Sequence, residues 1–390
     1  MLFWAKITFW GSFLLVSYTY IGYGIVVLIL DKLTPKRKII AEPSEWPKIT
    51  LLIAAYNEES IIREKIENTL SLDYPKDKID LFFVTDGSTD QTGVIISTYP
   101  EIRHFHESGR KGKIHAVNRV MKEVTSPIVI YSDANTLLNK EALKMIARHY
   151  SDEKVGGVAG EKRIFSKSSD SAAGAGEGLY WKYESFLKKK DSDINSIVGA
   201  AGELFSIRTA LFEEPPSNII IEDFYISLKI ASSGYRFVYE PAAQATETAS
   251  ASVEEEWKRK VRISAGGIQA IVLLSYLLNP FKYGLLSFQY ISHRVLRWTL
   301  APLALPIIFV SNVYLALRGP FYFQWLLIGQ VLFYILAGLG YLFRNKKIPV
   351  KGFFVPYYFS VMNLSVYAGF FRYVKGKQSV VWEKSKRAEN

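Results

Sequence analysis

Apolar residues are concentrated at the two ends of this chain, whereas its middle alternates short apolar runs with mixed segments. Near the N-terminus, Ile7 to Leu30 is long and apolar enough to cross a bilayer. Two further stretches of this kind, Leu300 to Leu317 and Phe321 to Phe343, are separated by the turn Arg318-Gly319-Pro320. The pattern predicts an N-terminal membrane anchor and a C-terminal hairpin of two transmembrane helices.

Basic residues indicate how these helices are oriented. Lys32, Lys36, Arg37 and Lys38 follow the first stretch, so the positive-inside rule places the N-terminus outside and the next domain in the cytoplasm. A further apolar segment, Phe353 to Phe371, has basic residues on both sides, which favours an in-plane or re-entrant helix over a full span. We therefore divide the chain into an anchor (1–35), an α/β domain (45–255), amphipathic interfacial helices (256–295), the hairpin (296–345), and a re-entrant or interfacial helix with a basic tail (346–390).

The middle of the chain alternates predicted strands and helices. The strands are Thr50–Ala55, Leu81–Val84 and Ile128–Tyr131, and the helices are Glu59–Leu70, Gln91–Thr98, Ile114–Val124 and Lys140–His149. This alternation is typical of a mostly parallel sheet with helices on both faces. Ser166 to Gly178, rich in Ser, Ala and Gly, is expected to form a mobile loop across the domain.

Acidic residues recur where the apolar runs end. Asn57-Glu58-Glu59 follows the first run, Asp86 to Asp90 the second, and Asp133-Ala134-Asn135 the third. Glu222-Asp223 follows another run, Ile219 to Ile221, which we expect to be a fourth strand. The carboxyl ends of parallel strands meet at one edge of a sheet, where α/β folds bind their ligands. The arrangement predicts a site for a polyanionic substrate bridged by a metal ion.

Charge and cysteine content argue against several other classes of protein. The net charge is +11 over 390 residues. Many basic residues, such as Lys258 to Arg262, flank apolar segments, where anionic lipid headgroups attract them. We find no nucleic-acid-binding motif and expect no nucleic-acid partner. Cysteine is absent, which excludes disulfides and thiolate zinc sites, and the five histidines form no H-E-x-x-H pattern.

The order of these motifs resembles that of family 2 glycosyltransferases. It comprises Ala54 to Glu59, Asp86 to Asp90, Arg110-Lys111-Gly112-Lys113, Asp133 to Asn135 and Glu222-Asp223. Across Thr50 to Gln269 the chain is similar to the membrane-integrated branch that includes cellulose, hyaluronan and poly-N-acetylglucosamine synthases. The resemblance implies a GT-A fold, Rossmann-like with a mixed sheet, inserted between transmembrane helices of the cell (inner or plasma) membrane. It also implies a nucleotide-sugar donor, usually UDP-linked, with Mg²⁺ or Mn²⁺ as cofactor and inversion at the anomeric carbon.

The resemblance assigns donor binding to a set of residues along these motifs: Ala54, Tyr56, Glu58, Asp86, Arg110, Lys113, Ser132, Asp133 and Arg259. A tyrosine ring can stack on the base, and carboxylates can accept hydrogen bonds from the base or ribose. Asp133 is the expected metal ligand, because a hard cation prefers oxygen donors. Asn135 stands where the family often has a second Asp, so we assign it to the metal only through its amide oxygen.

Asp223 is the candidate catalytic base, since inverting transfer needs a carboxylate to accept the proton of the attacking hydroxyl. Arg262 matches a family arginine that can neutralise the diphosphate. Ile263 replaces the family tryptophan that would stack on the acceptor, and Arg259 replaces the family glutamine, so we predict short products. The acceptor side is assigned to Gly199, Gly202 and Glu222.

Several alternatives stay open at this point. The acceptor would be a lipid-linked or growing glycan, and a processive polysaccharide synthase is the nearest alternative activity. A catalytically silent scaffold that binds nucleotide sugars is an alternative of another class. Glu177, Tyr180, Trp181 and Glu184 either border the acceptor or pack in the core. The tail Trp382 to Arg387 is interpreted as a basic segment on lipid headgroups, with only a loose likeness to a gating element.

Overall fold

The computed structural model describes residues 1–35, 42–165, 172–248, 253–343 and 351–376. Within these ranges, one sheet of eight strands forms the centre of the α/β domain. The strands are β1 Ile49–Ala55, β2 Ile79–Asp86, β3 Ile102–Glu107, β4 Ile128–Asp133, β5 Leu137–Leu138, β6 Val155–Phe165, β7 Leu204–Arg208 and β8 Arg236–Thr248. Their order is β3-β2-β1-β4-β7-β6-β8-β5. The first four are parallel neighbours, whereas β7 runs antiparallel to both β4 and β6.

The helices surround this sheet and continue into the apolar ends of the chain. They are α1 Leu2–Ser17, α2 Tyr23–Leu33, α3 Ile62–Leu70, α4 Thr92–Ser97, α5 Lys113–Met121, α6 Ala142–Ala147, α7 Ala172–Ile194, α8 Glu222–Ser232, α9 Val253–Leu273, α10 Pro280–Tyr290, α11 Leu296–Trp298, α12 Leu300–Arg318, α13 Tyr322–Leu342 and α14 Lys351–Val374.

The sheet is buried on both faces, which explains why its strands read as continuous apolar runs. In β1, Leu51 and Ile53 pack into a core with Ile62 of α3, whereas Leu52 points to the opposite face. There it joins a second core that includes Val117 of α5. The prediction of a mostly parallel α/β sheet is therefore confirmed.

Three helical segments are long and apolar enough to cross a membrane: Leu2–Leu33, Leu300–Arg318 and Tyr322–Leu342. The first comprises α1, a π-helical turn at Tyr18–Gly22, and α2. The expected anchor and hairpin correspond to these segments. Residues 353–371 lie in the continuous helix α14, which packs against α9 and α13. Lys36 to Lys38 and the tail Trp382 to Arg387 lie outside the described residues.

Two local predictions are wrong. Ile219 to Ile221 form no strand, because their backbone is held by a side chain: Gln269 Oε1 accepts the Ile220 amide at 3.0 Å, and Gln269 Nε2 donates to the Asn218 carbonyl. Residues 166–171 of the expected loop lie outside the described residues, whereas the rest, from Ala172 onward, is helical, because its alanines favour the start of α7.

Candidate active site

The loops after β1 and β2 are locked together at the carboxyl edge of the sheet. Asn57 adopts a left-handed backbone (φ 51°), which Asn tolerates better than most residues. Its side-chain oxygen accepts the Thr89 amide at 2.8 Å, and its own amide donates to Ser88 Oγ. The Glu58 amide donates to Thr92 Oγ1 at 2.8 Å. The first and second acidic motifs therefore form one surface, as their adjacent parallel strands predict.

Asp86 fixes the basic loop in place. Its carboxylate accepts the backbone amides of Lys111 at 3.0 Å and Gly112 at 2.6 Å. This holds the Arg110 guanidinium 3.7 Å from the centre of the Tyr56 ring. Tyr56 and Arg110 both line the central cavity. The two predicted donor-binding side chains thus form a single stacked unit.

Lys113, the first residue of α5, joins two of the predicted acidic sites. Its ammonium lies 2.7 Å from Asp133 Oδ1 at the end of β4 and 3.0 Å from Glu222 Oε1 at the start of α8. Burial raises the pKa of Asp133 above its ordinary value, although Lys113 opposes that shift. Burial would also raise the pKa of Glu222, but Lys113 holds it below the ordinary value. One lysine therefore partly neutralises two carboxylates from different elements.

Asp223 lies beside this cluster, and its acidity is strongly altered. Burial, together with the negative charge of Glu222, raises the pKa of Asp223 to about 7. Burial lowers the pKa of Arg262, whereas Glu222 and Asp223 favour its charged form. The backbone of Gly202 lies against Asp223, since a methyl group there would sit 3.4 Å from Asp223 Oδ2. These groups could accept a proton and neutralise an anion within one small volume.

Contact between α9 and the turn before α8 brings Asp223 and Arg262 to the same cavity. The Gln269 side chain forms hydrogen bonds with the backbone of the turn before α8. Gly266, on the same helix, permits close approach, because a methyl group there would lie 3.0 Å from Ile220 and Ile221. Asp223 and Arg262, which are far apart in the sequence, are thus brought together because Gly266 and Gln269 of α9 pack against the turn before α8.

A single cavity of about 540 Å³ connects most of the predicted residues. Those that line it are Ala54, Tyr56, Glu58, Asp86, Arg110, Lys113, Asp133, Asn135, Gly202, Glu222, Asp223, Arg259 and Arg262. The same cavity is also lined by Trp181, Glu184 and Trp298. It reaches Tyr20 of the first membrane segment and Asn363 of α14.

Two of the predicted site residues are not among those that line this cavity. Ser132 is buried, and its hydroxyl accepts a hydrogen bond from Lys65 Nζ at 2.8 Å. Gly199 has a left-handed backbone (φ 91°) beneath Phe224, where a methyl group would lie 2.2 Å from the ring. We therefore interpret Ser132 and Gly199 as supports of the neighbouring residues that do face the cavity.

Arg259 lines the cavity but is already paired. Its Nε donates to Glu256 at 3.0 Å, and its Nη1 lies 3.5 Å from Glu247. Its charge is therefore largely compensated within the protein. Donor binding by Arg259 stays a prediction.

The sequence analysis missed several residues. Lys65 is fully buried; its ammonium also donates to the Thr136 carbonyl at 2.6 Å, and burial lowers its pKa to about 7. It secures the loop that carries Asp133, and no motif marked it. Arg294, Arg297 and Trp298 line the cavity from the segment before α12. No signal in the sequence marked them, because arginines beside the end of a membrane span are the ordinary positive-inside pattern.

A metal ion fits the donor set at the end of β4. Asp133 and Asn135 both face the cavity and offer carboxylate and amide oxygens, which are ligands suited to Mg²⁺ or Mn²⁺. A second group, Asp86, Glu107 and His115, has potential ligand atoms within 4.8 Å of one another. There, however, Asp86 accepts two backbone amides, and Glu107 pairs with Lys111 and Arg119. We interpret that group as a structural ion cluster.

Comparison with known proteins agrees with this geometry. Residues 50–214 match the family "Glycosyl transferase family 2". Poly-beta-1,6-N-acetyl-D-glucosamine synthase of Staphylococcus aureus (strain COL) is 30% identical over 238 residues, which cover 58% of this chain and 56% of that protein. The probable glycosyltransferase YdaM of Bacillus subtilis (strain 168) is 26% identical, with coverage of 61% and 59%. The chain thus aligns with little more than half the length of these relatives.

A solved structure resembles the whole fold. Mannosyltransferase PcManGT from Pyrobaculum calidifontis, determined in complex with GDP-Man and Mn²⁺, superposes with a TM-score of 0.70 at 22% identity. The superposition covers 97% of this chain and 99% of that one. The sheet and the flanking apolar helices therefore have the same arrangement in both proteins. Residues 50–214 are thus similar to glycosyltransferase family 2, and they lie in a GT-A-like fold joined to helices that are long and apolar enough to span a membrane.

Proposed function

We propose that this protein is an inverting glycosyltransferase that moves a sugar from a nucleotide sugar to a lipid-linked or growing glycan at the membrane. One observation carries the proposal: Asp223, with its pKa raised to about 7, shares a cavity with Arg262 and with the Lys113–Asp133 ion pair. A base of that pKa can be unprotonated near neutral pH and still accept a proton readily.

The donor would occupy the sheet-edge half of the cavity. The Tyr56–Arg110 unit offers an aromatic face and a guanidinium to the base and phosphates, and Glu58 and Asp86 lie nearby for the base or ribose. Arg262 would supply positive charge for the diphosphate, and Lys113, whose charge is shared by Asp133 and Glu222, would offer a hydrogen-bond donor. Asp133 and Asn135 would hold Mg²⁺ or Mn²⁺, which when bound neutralises charge on the departing diphosphate.

The acceptor would approach from the Gly202 and Glu222 side. Its hydroxyl gives a proton to the Asp223 carboxylate while its oxygen bonds to the anomeric carbon. On the opposite face, the bond between that carbon and the diphosphate oxygen breaks, and the electron pair leaves with the nucleoside diphosphate. Attack opposite the leaving group inverts the anomeric configuration. Arg262 stabilises the leaving group's charge.

A UDP-linked N-acetylhexosamine is the proposed donor, supported by the similarity to the poly-N-acetylglucosamine synthase. The extension of the cavity to Tyr20 and Asn363 supports an acceptor that comes from the membrane. We place the catalytic domain in the cytoplasm of a multi-pass inner or plasma membrane protein, because nucleotide sugars are soluble and basic residues follow the first span.

The test is nucleotide release by purified protein in lipid nanodiscs. UDP-N-acetylglucosamine, UDP-glucose, UDP-galactose and GDP-mannose are each supplied with Mg²⁺, Mn²⁺ or EDTA. We expect metal-dependent release from a UDP-sugar, and no release by Asp223→Asn. Binding of UDP-sugars without any release would instead indicate a catalytically silent scaffold.

A further inference from the structure

The membrane-side end of the cavity holds a buried basic site that the transfer reaction does not use. Arg297 lies there, three residues before the membrane-spanning helix α12. It faces Glu184 and the tyrosines at positions 20, 180 and 183. All of these residues line the cavity.

Positive charge exceeds negative charge at this end. Glu184 is ion-paired with both Arg294 and Arg297, the latter at 3.2 Å. Among the described residues, it is the one carboxylate that pairs with either guanidinium. The nearby Asp191 is engaged elsewhere, because its carboxylate bonds His293 Nδ1 at 2.6 Å. Two permanent cations thus share one acid, and an uncompensated buried charge is costly.

Arg297 also has unused hydrogen-bonding capacity. Its Nε and Nη2 atoms are buried and make no hydrogen bond within the described residues, although the Tyr183 ring lies 5.6 Å from the guanidinium carbon. Buried donors are rarely left without partners, and here two of them belong to one guanidinium that lines the cavity. A guanidinium with free Nε and Nη donors matches the oxygens of a phosphate group in two-pronged geometry.

The arginine at this end of the cavity has different charged neighbours from Arg262 at the proposed donor end, although Lys188 interacts with acids of both ends, Glu184 and Asp223. The carboxylates that interact electrostatically with Arg262 are Glu222, Asp223 and Asp133. None of them is among the main electrostatic partners of Arg297. Two π-helical turns, Tyr18–Gly22 and Ile291–Val295, meet here through a 2.8 Å hydrogen bond between Tyr18 and Ser292. Such turns occur often at functional sites.

The surroundings suit a phosphate attached to an apolar chain. Tyr20, in the first π-helical turn, donates to Asn363 of α14 at 2.6 Å, which joins two elements of the membrane region at the cavity wall. Four apolar residues of α14 line the wall beside them: Val355, Phe359, Met362 and Val366. Val355 is 52% exposed, so this wall continues to the protein surface.

We infer that Arg297, supported by Arg294 and Glu184, binds the phosphate or pyrophosphate group of a lipid-linked acceptor whose apolar chain lies along α14. The inference rests on the proposed function, since it specifies the acceptor of that reaction. The acceptor's transferable hydroxyl would then point along the cavity toward Asp223.

Binding of simple probes to the full chain in phosphatidylcholine nanodiscs tests this site. The probes are farnesyl phosphate, farnesol and inorganic phosphate, and binding is followed by tryptophan fluorescence, because Trp181 and Trp298 line the cavity. We expect farnesyl phosphate to bind, and Arg297→Gln to weaken that binding about tenfold or more, the usual effect of losing a charged hydrogen-bond donor. Arg372→Gln removes the same charge from the exposed end of α14 and should leave the affinity unchanged.

The comparisons among probes keep the inference falsifiable even if Arg297→Gln folds poorly, which its melting temperature and UDP binding would reveal. Equal binding of farnesol and farnesyl phosphate would overturn it, because the phosphate would then contribute nothing. If inorganic phosphate bound as tightly as farnesyl phosphate, the apolar chain would contribute nothing, and the inference that the phosphate belongs to a lipid would be overturned. Nucleotide release without Arg297-dependent lipid binding would reject this site but keep the proposed function. Arg297-dependent binding without nucleotide release from any donor would reject the proposed function and keep a lipid-phosphate site.

Discussion

The Lys113 ammonium lies 2.7 Å from the Asp133 carboxylate, at the position in the cavity where a metal ligand is expected. The same ammonium lies 3.0 Å from Glu222. The Lys113 ammonium therefore stabilises this acidic centre by itself. A divalent ion that binds Asp133 must either share that carboxylate with Lys113 or displace the ammonium.

This arrangement predicts how Lys113→Met responds to metal. The variant should melt at a lower temperature than the wild type, because Asp133 and Glu222 lose their shared counter-ion. Added Mn²⁺ should raise its melting temperature more than that of the wild type, since metal binding to the folded state is stabilising. Lys111→Met is the matched control, because Lys111 pairs with Glu107 outside the cavity. Equal shifts in all three proteins would contradict the shared site.

Asp133→Ala should abolish transfer and metal-dependent UDP binding while leaving the fold intact. The Asp133 side chain stands at a strand end and is 30% exposed, so it contributes little to the core. UDP affinity measured by calorimetry with and without Mn²⁺ checks the prediction. Asp73→Ala, which removes a carboxylate paired only at the surface with Lys144, is the control. Near-normal turnover of Asp133→Ala with bound metal would refute the assignment.

Asp223→Asn should separate chemistry from binding. We expect transfer to fall by roughly 10²- to 10⁴-fold, the usual scale for a general base, with UDP affinity retained. An equally large loss of UDP affinity would make Asp223 a donor ligand instead.

The raised pKa of Asp223 also predicts two pH dependences. The base form is lost as pH falls through about 7, so wild-type kcat/KM should fall over that range instead of near pH 4. Because the folded-state pKa lies above the unfolded value, ionisation of Asp223 lowers stability as pH rises toward 7. Asp223→Asn should therefore melt above the wild type at pH 8, with the difference shrinking below pH 7. A melting-temperature difference that is independent of pH would contradict this.

The sequence predicted the sheet edge better than the membrane-side half of the cavity. β1, β2 and β4 are apolar on both faces, and parallel neighbours bring Glu58, Asp86 and Asp133 to one edge. Asp223 reaches that edge from a helix start, and the strand expected before it is a turn held by Gln269. Arg297 could not be placed, because its position depends on packing among helices that are distant in the chain.

Gly87→Ala should weaken nucleotide binding although it removes no charged group. Gly87 has a φ of 68°, and a methyl group there would lie 2.7 Å from Arg110 Cβ and 2.8 Å from its backbone nitrogen. The basic loop would have to move, which would separate Arg110 from Tyr56. Gly109→Ala is the matched control, since a methyl group there meets nothing within 4 Å. We expect UDP affinity to fall about tenfold in the first variant only; equal effects would show that loop position is unimportant.

Product length tests the replacement of the family tryptophan by Ile263. Ile263 lines the cavity, so the acceptor meets an aliphatic edge at this position. Aromatic stacking contributes about 1–3 kcal/mol per ring in nucleic-acid complexes, and about 1.4 kcal/mol changes residence tenfold. We therefore expect one or a few sugars per encounter, measured by sizing products at excess donor and limiting acceptor. Ile263→Trp should lengthen them. Long polymers made by the wild type in single encounters would refute the prediction, and Trp298, whose indole also lines the cavity, would then be the platform to test by Trp298→Leu.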